Sequence, residues 1–168
     1  PSAQQDIRRA GAAIECRLYA ENPARHFMPS PGKLARFCLP AGMAGLRVDT
    51  GVREGDAITP FYDPMIAKLI AYGTDREAAI ATMQAALGAT EIEGIRHNAV
   101  FLGRVLDHAD FRAGCVDTGF VERELAVLVV RRRAQARIRK VMVCGCGTVG
   151  RVGCLWHQRW CARGALWG

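Results

Sequence analysis

The chain has 168 residues, of which 50% are hydrophobic, and its formal net charge is +7. This length suits one domain with a buried core, and the apolar content excludes a chain that is disordered throughout. No apolar run approaches the roughly 20 residues of a membrane span, and no signal peptide is visible. We therefore expect a cytoplasmic protein with reduced thiols and no membrane partner. Because the chain begins with Pro1 and not with methionine, we also expect a piece of a longer protein.

The basic charge is confined to the C-terminal part of the chain. Residues 1–124 contain 14 lysines and arginines and all 16 acidic residues, a net charge of −2, whereas residues 125–168 contain 9 basic residues and no acidic ones. Four of the seven cysteines and all three tryptophans also lie in the second segment. This change of composition predicts a domain boundary after residue 124.

Alternating apolar and polar residues over residues 13–19 predict a half-buried strand. Ile14, Cys16 and Leu18 would share its buried face, because successive side chains of a strand point to opposite sides. The next segment, residues 21–32, contains three prolines and predicts a loop.

The middle of the chain predicts three more strands, separated by turns. A turn containing Gly42 and Gly45 separates the first two, and residues 53–56 have the composition of another turn. The predicted strands are residues 33–39, 46–50 and 65–72.

A helix is predicted after the last of these strands. Thr74 and Glu77 fit a capping box, in which the threonine hydroxyl accepts from the Glu77 amide. Gly88 is placed to end the helix. Between these ends, Ile80, Met83 and Leu87 recur at helical spacing.

The rest of the first segment predicts a short strand over residues 91–95, a helix capped by Asn98, and a last strand or turn over residues 118–121. Leu102 and Leu106 would face inward from that helix. Since strands come first and helices later, we expect the α+β class, a mainly antiparallel sheet with packed helices, followed by an irregular tail.

Three ordered segments together resemble the C-terminal domain of biotin carboxylases. They are Ile-Glu-Cys-Arg-Leu-Tyr-Ala-Glu-Asn-Pro at residues 14–23, Pro-Ser-Pro-Gly at 29–32 and Phe-Tyr-Asp-Pro-Met-Ile-Ala-Lys-Leu-Ile at 61–70. The resemblance covers residues 6–124 and implies a rudimentary single-hybrid-like fold. The third segment looks more like the acyl-CoA carboxylases of the methylcrotonyl or propionyl type than like pyruvate carboxylase.

The resemblance implies a fragment of a ligase. Biotin carboxylases use ATP, Mg2+ (or Mn2+) and bicarbonate to carboxylate biotin on a carrier domain. The ATP-grasp domain, which holds most of the ATP and metal contacts, is matched by no part of this chain, so the isolated chain is expected to be inactive and to hold no cofactor by itself. The implied partners are that upstream domain, the biotin carboxyl carrier domain, a carboxyltransferase subunit and a second copy in a homodimer.

The resemblance also implies roles for single residues. Arg17 matches the family arginine that faces biotin, where a guanidinium can stabilise the negative ureido oxygen of the transition state. Asp63 matches the family aspartate of the same site and can orient Arg17. Glu15 and Tyr19 share a strand face with Arg17 and are expected to border the biotin site.

Four further residues match peripheral positions of the family. Arg47 and Met43 match positions at the dimer interface. Thr118 and Phe120 lie near a segment that borders the adenine pocket. No residue of the chain is assigned to a metal.

Without the resemblance, simpler interpretations apply to the same residues. Arg17 would be a surface cation paired with Glu15, and Asp63 would be a turn residue before proline. Lys68, on an apolar strand, is expected to extend its amine to solvent rather than to act in catalysis.

The aromatic and histidine side chains receive structural interpretations. Phe61 and Tyr62 are expected to pack into the domain rather than to stack on a cofactor. His26, His97 and His108 lack the spacing of a metal site and are expected at the surface or in helix caps.

Residues 125–168 match nothing in the family, and they favour an unstructured or aberrant tail, such as an out-of-frame reading of GC-rich DNA. Gly145, Gly147 and Gly150 have the spacing of a dinucleotide-binding loop. Because only 18 residues follow Gly150 and none is acidic, we do not expect a complete dinucleotide-binding unit.

The alternative function is a non-enzymatic binding module, in which the tail binds zinc or nucleic acid. The basic run at residues 131–140 could contact nucleic acid without sequence specificity, although a solvated charge run is the simpler interpretation. The spacing of the candidate zinc ligands fits no strong zinc pattern. These ligands are Cys144, Cys146, Cys154, His157 and Cys161.

Overall fold

The computed structural model describes residues 3, 5 and 10–129, and this part of the chain forms nine strands and four helices. The strands are β1 (Ala12–Tyr19), β2 (Glu21–Asn22), β3 (Met28–Pro29), β4 (Gly32–Lys33), β5 (Arg36–Cys38), β6 (Leu46–Thr50), β7 (Ala57–Ile58), β8 (Met65–Gly73) and β9 (Glu91–Glu93). The helices are α1 (Arg76–Gly88), α2 (Ala99–Asp107), α3 (Ala109–Ala113) and α4 (Phe120–Val129). Of these helices, none combines the length and the apolar character that crossing a bilayer requires.

Three strands form the central sheet. β8 lies in the middle and pairs antiparallel with β1 on one side and with β6 on the other. The ladder between β1 and β8 has a register irregularity between Leu18 and Tyr19. The other six strands form three antiparallel pairs, β2 with β3, β4 with β7 and β5 with β9. The expectation of an α+β fold with antiparallel sheets is therefore confirmed.

One face of the central sheet, the inner face, packs against α1 and forms the main core. Ile14, Cys16 and Leu18 of β1 are buried there, as the alternation of the sequence predicts. Removing this apolar surface from water is the main stabilising contribution, at about 25 cal/mol per Å². The other core residues from β8 and α1 are Ile66, Ala67, Leu69, Ala71, Ala79, Ile80, Met83, Ala86 and Leu87.

The ends of α1 differ from the prediction by one residue. The N-cap is Asp75, whose Oδ1 accepts from the Ala78 N–H at 2.8 Å, and not Thr74. Gly88 is the last helical residue and Ala89 is the C-cap, so the predicted stop lies inside the helix. Threonine and aspartate are both favoured N-caps, and the local sequence does not choose between them.

Two segments form more strands than predicted. The predicted loop over residues 21–32 contains a 3-10 turn between β2 and β3 as well as the first residue of β4. The single strand predicted over residues 33–39 is divided into β4 and β5. The division arises because β4 pairs with β7, whereas β5 pairs with β9.

The described chain ends in a helix that the sequence did not predict. A turn at residues 117–120 is followed by α4, where a strand or turn was expected over residues 118–121. Phe120 and Leu128 of α4 are buried with Phe101 of α2 in a smaller hydrophobic cluster. The predicted boundary after residue 124 falls inside α4, and a division there would separate Leu128 from this cluster.

Candidate functional site

The outer face of the central sheet, opposite the main core, is charged. Its residues alternate with those of the inner face along the same strands, so β1 contributes Glu15 and Arg17, and β6 contributes Arg47 and Asp49. Lys68 of β8 is the register partner of both Arg17 and Asp49. The register therefore brings the predicted biotin-site strand and a predicted dimer-interface arginine onto one surface.

Arg17 lies at the centre of the predicted site with its side chain 59% exposed. Its Nε donates to Glu15 Oε1 at 2.8 Å. The hydrogen bond to Glu15, followed by one with Tyr19, raises the pKa of the Arg17 guanidinium above its ordinary value. Arg17 is thus permanently charged, held on one side and open to solvent, and it can offer further N–H groups to an anionic oxygen. The pair with Glu15 is also what a plain surface cation would form.

Arg47 repeats this arrangement on β6. Its Nε donates to Asp49 Oδ1 at 3.0 Å, and this bond raises the pKa of Arg47. The Arg47 side chain is 74% exposed, whereas Met43 is half-buried against the main core. Of the two residues, Arg47 is therefore the more accessible to another chain. The role of both residues at a dimer interface stays a prediction.

Asp63 precedes β8 and stabilises its own turn. Its Oδ1 accepts from the Met65 N–H at 2.9 Å. The Ala20 N–H donates to the Pro64 carbonyl at 2.8 Å, which ties the loop of Asp63 to the end of β1. Among the described contacts, none joins Asp63 to Arg17. The structure thus places the two residues at the same end of the sheet, and their expected interaction stays a prediction.

The aromatic pair before Asp63 does not pack. Phe61 is 86% exposed and Tyr62 is 83% exposed, so the expectation that they pack into the domain is wrong. Both belong to the loop between β7 and β8, which turns away from the core before the chain re-enters the sheet. This end of the sheet therefore combines two exposed aromatic rings with a carboxylate.

The two residues predicted near an adenine pocket differ in exposure. Thr118 is exposed in the turn before α4. Phe120 is 4% exposed, and its ring meets the His108 ring edge-on at a centroid distance of 5.0 Å. Only Thr118 offers a free side chain at this position, and the nucleotide role of both residues stays a prediction.

The histidines occupy three different environments. His26 is exposed, and His108 caps α3 by accepting from the Asp110 N–H at 3.3 Å, as expected. His97 is half-buried and precedes the N-cap of α2, and its Nδ1 is buried without a hydrogen-bond partner. Burial lowers the pKa of His97 below its ordinary value. In residues 10–129, no three His, Cys, Asp or Glu residues come together as a metal site would require.

Asn98 makes long-range hydrogen bonds that the sequence does not predict. It is 4% exposed, and its side chain bonds to the backbone of Arg17 and Tyr19 rather than to its own helix. An asparagine before a helix is the usual sign of a cap. No local signal reveals a contact with residues 79 and 81 positions away in the sequence.

The candidate sites of the tail lie outside the described residues. These are the glycine motif, the possible zinc ligands and the basic run, all of which fall between residues 130 and 168. Their binding roles stay predictions.

Comparison with known proteins identifies the domain. Residues 15–123 match the family model of the biotin carboxylase C-terminal domain. Biotin carboxylase 1 of Bacillus subtilis is 47% identical over 71% of this chain and 26% of its own length. Methylcrotonoyl-CoA carboxylase subunit alpha of Dictyostelium discoideum is 45% identical over 72% of this chain and 17% of its own length.

Solved structures show the same fold. The biotin carboxylase domain dimer of Hydrogenobacter thermophilus 2-oxoglutarate carboxylase, in complex with MgADP, ADP and bicarbonate, has a TM-score of 0.73 and 38% identity. The match covers 77% of this chain and 28% of that chain. The biotin carboxylase subunit of a pyruvate carboxylase gives a TM-score of 0.72 and 37% identity, over 76% of this chain and 28% of that chain.

The chain spans between 17% and 26% of the length of the two curated relatives described above. Its match with the family model begins at the second residue of the first motif, covers the rest of the three motifs and continues through β9, α2 and α3 into α4. The resemblance seen in the sequence is thereby confirmed, and the chain belongs to the biotin carboxylase C-terminal domain family.

Proposed function

We propose that this chain supplies the biotin-facing part of a biotin carboxylase, a ligase that uses ATP and bicarbonate to carboxylate biotin. The observation that carries the proposal is the exposed, permanently charged Arg17 on the outer face, within the segment that matches the family. The catalytic activity belongs to a whole enzyme of which this chain corresponds to a minor part.

The proposed chemistry concerns the ureido oxygen of biotin. Negative charge develops on this oxygen when the neighbouring ureido N–H loses its proton, and a fixed guanidinium stabilises that charge until the nitrogen attacks the carboxyl donor. Glu15 holds the Nε of Arg17 and limits the rotation of its side chain. Less conformational freedom is then lost when the guanidinium meets its substrate.

Asp63 and Tyr19 complete the proposed site. The Ala20–Pro64 hydrogen bond keeps the Asp63 loop beside the end of β1, where Tyr19 lies. Because Glu15 accepts from the Nε of Arg17, the terminal nitrogens of the exposed guanidinium can face Asp63 while that bond stays in place. Asp63 would then orient the guanidinium when biotin is present.

The proposed cofactors and partners lie around this surface. Biotin on its carrier domain would approach the outer face, while an ATP-grasp domain would hold ATP and Mg2+ or Mn2+, with Thr118 and Phe120 at the adenine border. Arg47 and Met43 would face a second copy. The similar biotin carboxylase domain of 2-oxoglutarate carboxylase is a dimer in complex with MgADP, which supports both the proposed dimer and the proposed nucleotide. A carboxyltransferase subunit would use the carboxylated biotin.

The parent enzyme is proposed to be an acyl-CoA carboxylase. Methylcrotonoyl-CoA and propionyl-CoA carboxylase chains are among the relatives, and this observation supports the proposal.

The cytoplasmic location of the protein and its division into a domain and a tail also stay predictions. Since α4 continues to Val129, a division after that residue fits the fold better than one after residue 124.

The test uses a full-length biotin carboxylase that carries these residues at the matching positions. Arg17→Ala should slow biotin carboxylation by about 10²–10³-fold, because one charged donor to the developing oxyanion is lost. Bicarbonate-dependent ATP cleavage without biotin should change little, since Arg17 is not assigned to the nucleotide. Phosphate release measured with and without free biotin separates the two rates.

The matched control is Arg53→Ala, which removes another exposed arginine, from the turn between β6 and β7. It should leave both rates unchanged. Equal loss of the two rates in Arg17→Ala, or no loss, would refute the assignment. The isolated chain should show no biotin-dependent ATP cleavage in the same assay.

A further inference from the structure

Asn98 is the one polar residue that the fold buries to 4% exposure in the part of the chain that the structure describes. Its Oδ1 accepts from the Tyr19 N–H at 2.9 Å. Its Nδ2 donates to the Arg17 carbonyl and to Glu21 Oε1, both at 3.1 Å. Its backbone N–H donates to the Tyr19 carbonyl at 3.3 Å. Every polar atom of the side chain is therefore used, and none of them serves α2.

These contacts reproduce the hydrogen bonds of a neighbouring strand. β1 is the outermost strand of the central sheet and pairs with β8 along one edge only. On its other edge, the Arg17 carbonyl and both backbone groups of Tyr19 find their partners in Asn98. Backbone groups at a partly buried position need such partners. Asn98 thus takes the place of a strand over two residues.

The contacts also lie beside the irregularity in the ladder between β1 and β8. The register between the two strands shifts between Leu18 and Tyr19. Pairing on the β8 side continues past this point through Tyr19 and Met65 and through the Ala20 N–H and the Pro64 carbonyl, and Asn98 holds the opposite edge of β1 beside the irregularity. The direction of a side chain follows from the orientation of its own peptide. By binding the Arg17 carbonyl and both backbone groups of Tyr19, Asn98 fixes the peptides from which these two side chains project.

We propose that Asn98 is a positioning residue for the biotin site, because its side-chain amide replaces a strand on the free edge of β1 and so sets the direction of Arg17 and Tyr19. The inference rests on the proposed function of Arg17 and adds a residue from the start of α2 that does not touch substrate. Glu21 keeps the amide in the correct orientation, since a carboxylate can accept only from its NH₂ side.

The first test is amide hydrogen exchange of the full chain under reducing conditions. In Asn98→Ala, the Tyr19 amide should exchange about 10-fold faster or more, because it loses its acceptor. The matched control is Asn22→Ala, which removes an asparagine that accepts from the Ala24 N–H at 3.1 Å in the adjacent turn. Tyr19 exchange should be unchanged in the control. Unchanged exchange in Asn98→Ala would overturn the proposal.

The second test is kinetic and uses the full-length biotin carboxylase described above. Asn98→Asp keeps an acceptor for Tyr19, removes the donor to the Arg17 carbonyl and places a second carboxylate beside Glu21. The biotin-dependent kcat should fall by about 10-fold to 100-fold, while bicarbonate-dependent ATP cleavage stays unchanged. Adding Glu21→Gln should recover part of the loss, because the glutamine amide can donate to the new carboxylate.

A double variant separates positioning from stability. In an Arg17→Ala background, Asn98→Asp should reduce the biotin-dependent rate little further, because Asn98 acts through Arg17. Losses that multiply independently would overturn the proposal. If Arg17→Ala alone has no effect, the proposed function fails. If Arg17→Ala slows the reaction and Asn98→Asp does not, only the positioning role fails.

Variants of Asn98 that fail to fold also test the proposal. If Asn98→Asp does not fold, Asn98→Ser gives the same comparison, since its hydroxyl cannot reach both Arg17 and Tyr19. Failure of both variants to fold would make Asn98 a residue of structural importance only and would overturn the proposal. Equal loss of the biotin-dependent and biotin-independent rates would do the same.

Discussion

The inner and outer faces of the central sheet are made by the same three strands, yet their side chains differ in solvent exposure and in charge. On β1, Cys16 and Leu18 are 5% and 0% exposed, while the side chain of Arg17 between them is 59% exposed. A shift of one residue along a strand moves a side chain from core to solvent. One strand can therefore carry core residues and solvent-facing charged residues at alternate positions.

The two faces also draw on different forces. The inner face loses apolar surface to α1, and each buried side chain contributes strongly to the free energy of folding. The outer face holds exposed pairs such as Glu15–Arg17 and Asp49–Arg47, which solvent and salt screen. Substitutions on the inner face should therefore change stability, and those on the outer face should change function.

The largest effect on stability is expected on the inner face. Leu69→Ala removes a side chain that is 0% exposed in β8 and should lower the free energy of unfolding by about 2–5 kcal/mol. Ile70→Ala changes the next residue, which is half-buried on the outer face, and should cost clearly less. Urea denaturation followed by circular dichroism measures both. Equal losses would show that the outer face is also core.

An effect confined to alkaline pH is expected from Cys16, a titratable group of the inner face. Burial, and then the charge of Glu15, raises the pKa of the thiol from 9.0 to about 12. The unfolded thiol ionises near its ordinary value, so the unfolded state loses its proton first as the pH rises. The stabilising contribution is therefore complete below pH 9 and is lost between pH 9 and about 12, by up to about 1.4 kcal/mol per pH unit.

Denaturation curves over this alkaline range test the role of Cys16. Cys16→Ala lowers stability overall but should flatten the alkaline decline relative to the unaltered chain. Cys115→Ala, which removes an exposed thiol, should leave the decline unchanged. An identical alkaline slope in Cys16→Ala and the unaltered chain would mean that the thiol does not contribute.

The smallest effect is expected for an ion pair of the outer face. Arg47→Ala, Asp49→Ala and the double variant should melt at temperatures that differ little from that of the unaltered chain, because the pair is exposed. A double-mutant cycle at low and high salt measures the coupling. A large coupling that survives high salt would show that outer-face pairs stabilise the sheet.

Local patterns in the sequence predicted the parts of the fold that depend on local physics. β1 and β8 were predicted nearly to their ends, because alternation and an apolar run report directly on burial. The core residues of α1 followed from helical spacing in the same way. The three motifs of residues 14–70 identified the family, and the matches with its members confirm that prediction.

The sequence failed where a long-range partner decides the outcome. β4 and β5 separate because each pairs with a different distant strand. Phe61 and Tyr62 look like packing residues, but their loop leaves them without a core to join. Asn98 looks like a cap, although its partners lie on β1. At the site, the sequence predicted Arg17 and its pair with Glu15, and it could not predict the residue that holds their strand.

The most direct test compares Arg17→Ala with Leu18→Ala, neighbours on opposite faces of β1, in one full-length biotin carboxylase that carries both residues. We expect Leu18→Ala to lower the melting temperature and to leave the ratio of biotin-dependent to biotin-independent ATP cleavage unchanged. Arg17→Ala should leave the melting temperature unchanged and reduce this ratio by about 10²–10³-fold. If Arg17→Ala instead lowered the melting temperature and preserved the ratio, the proposed role of the outer face would be contradicted.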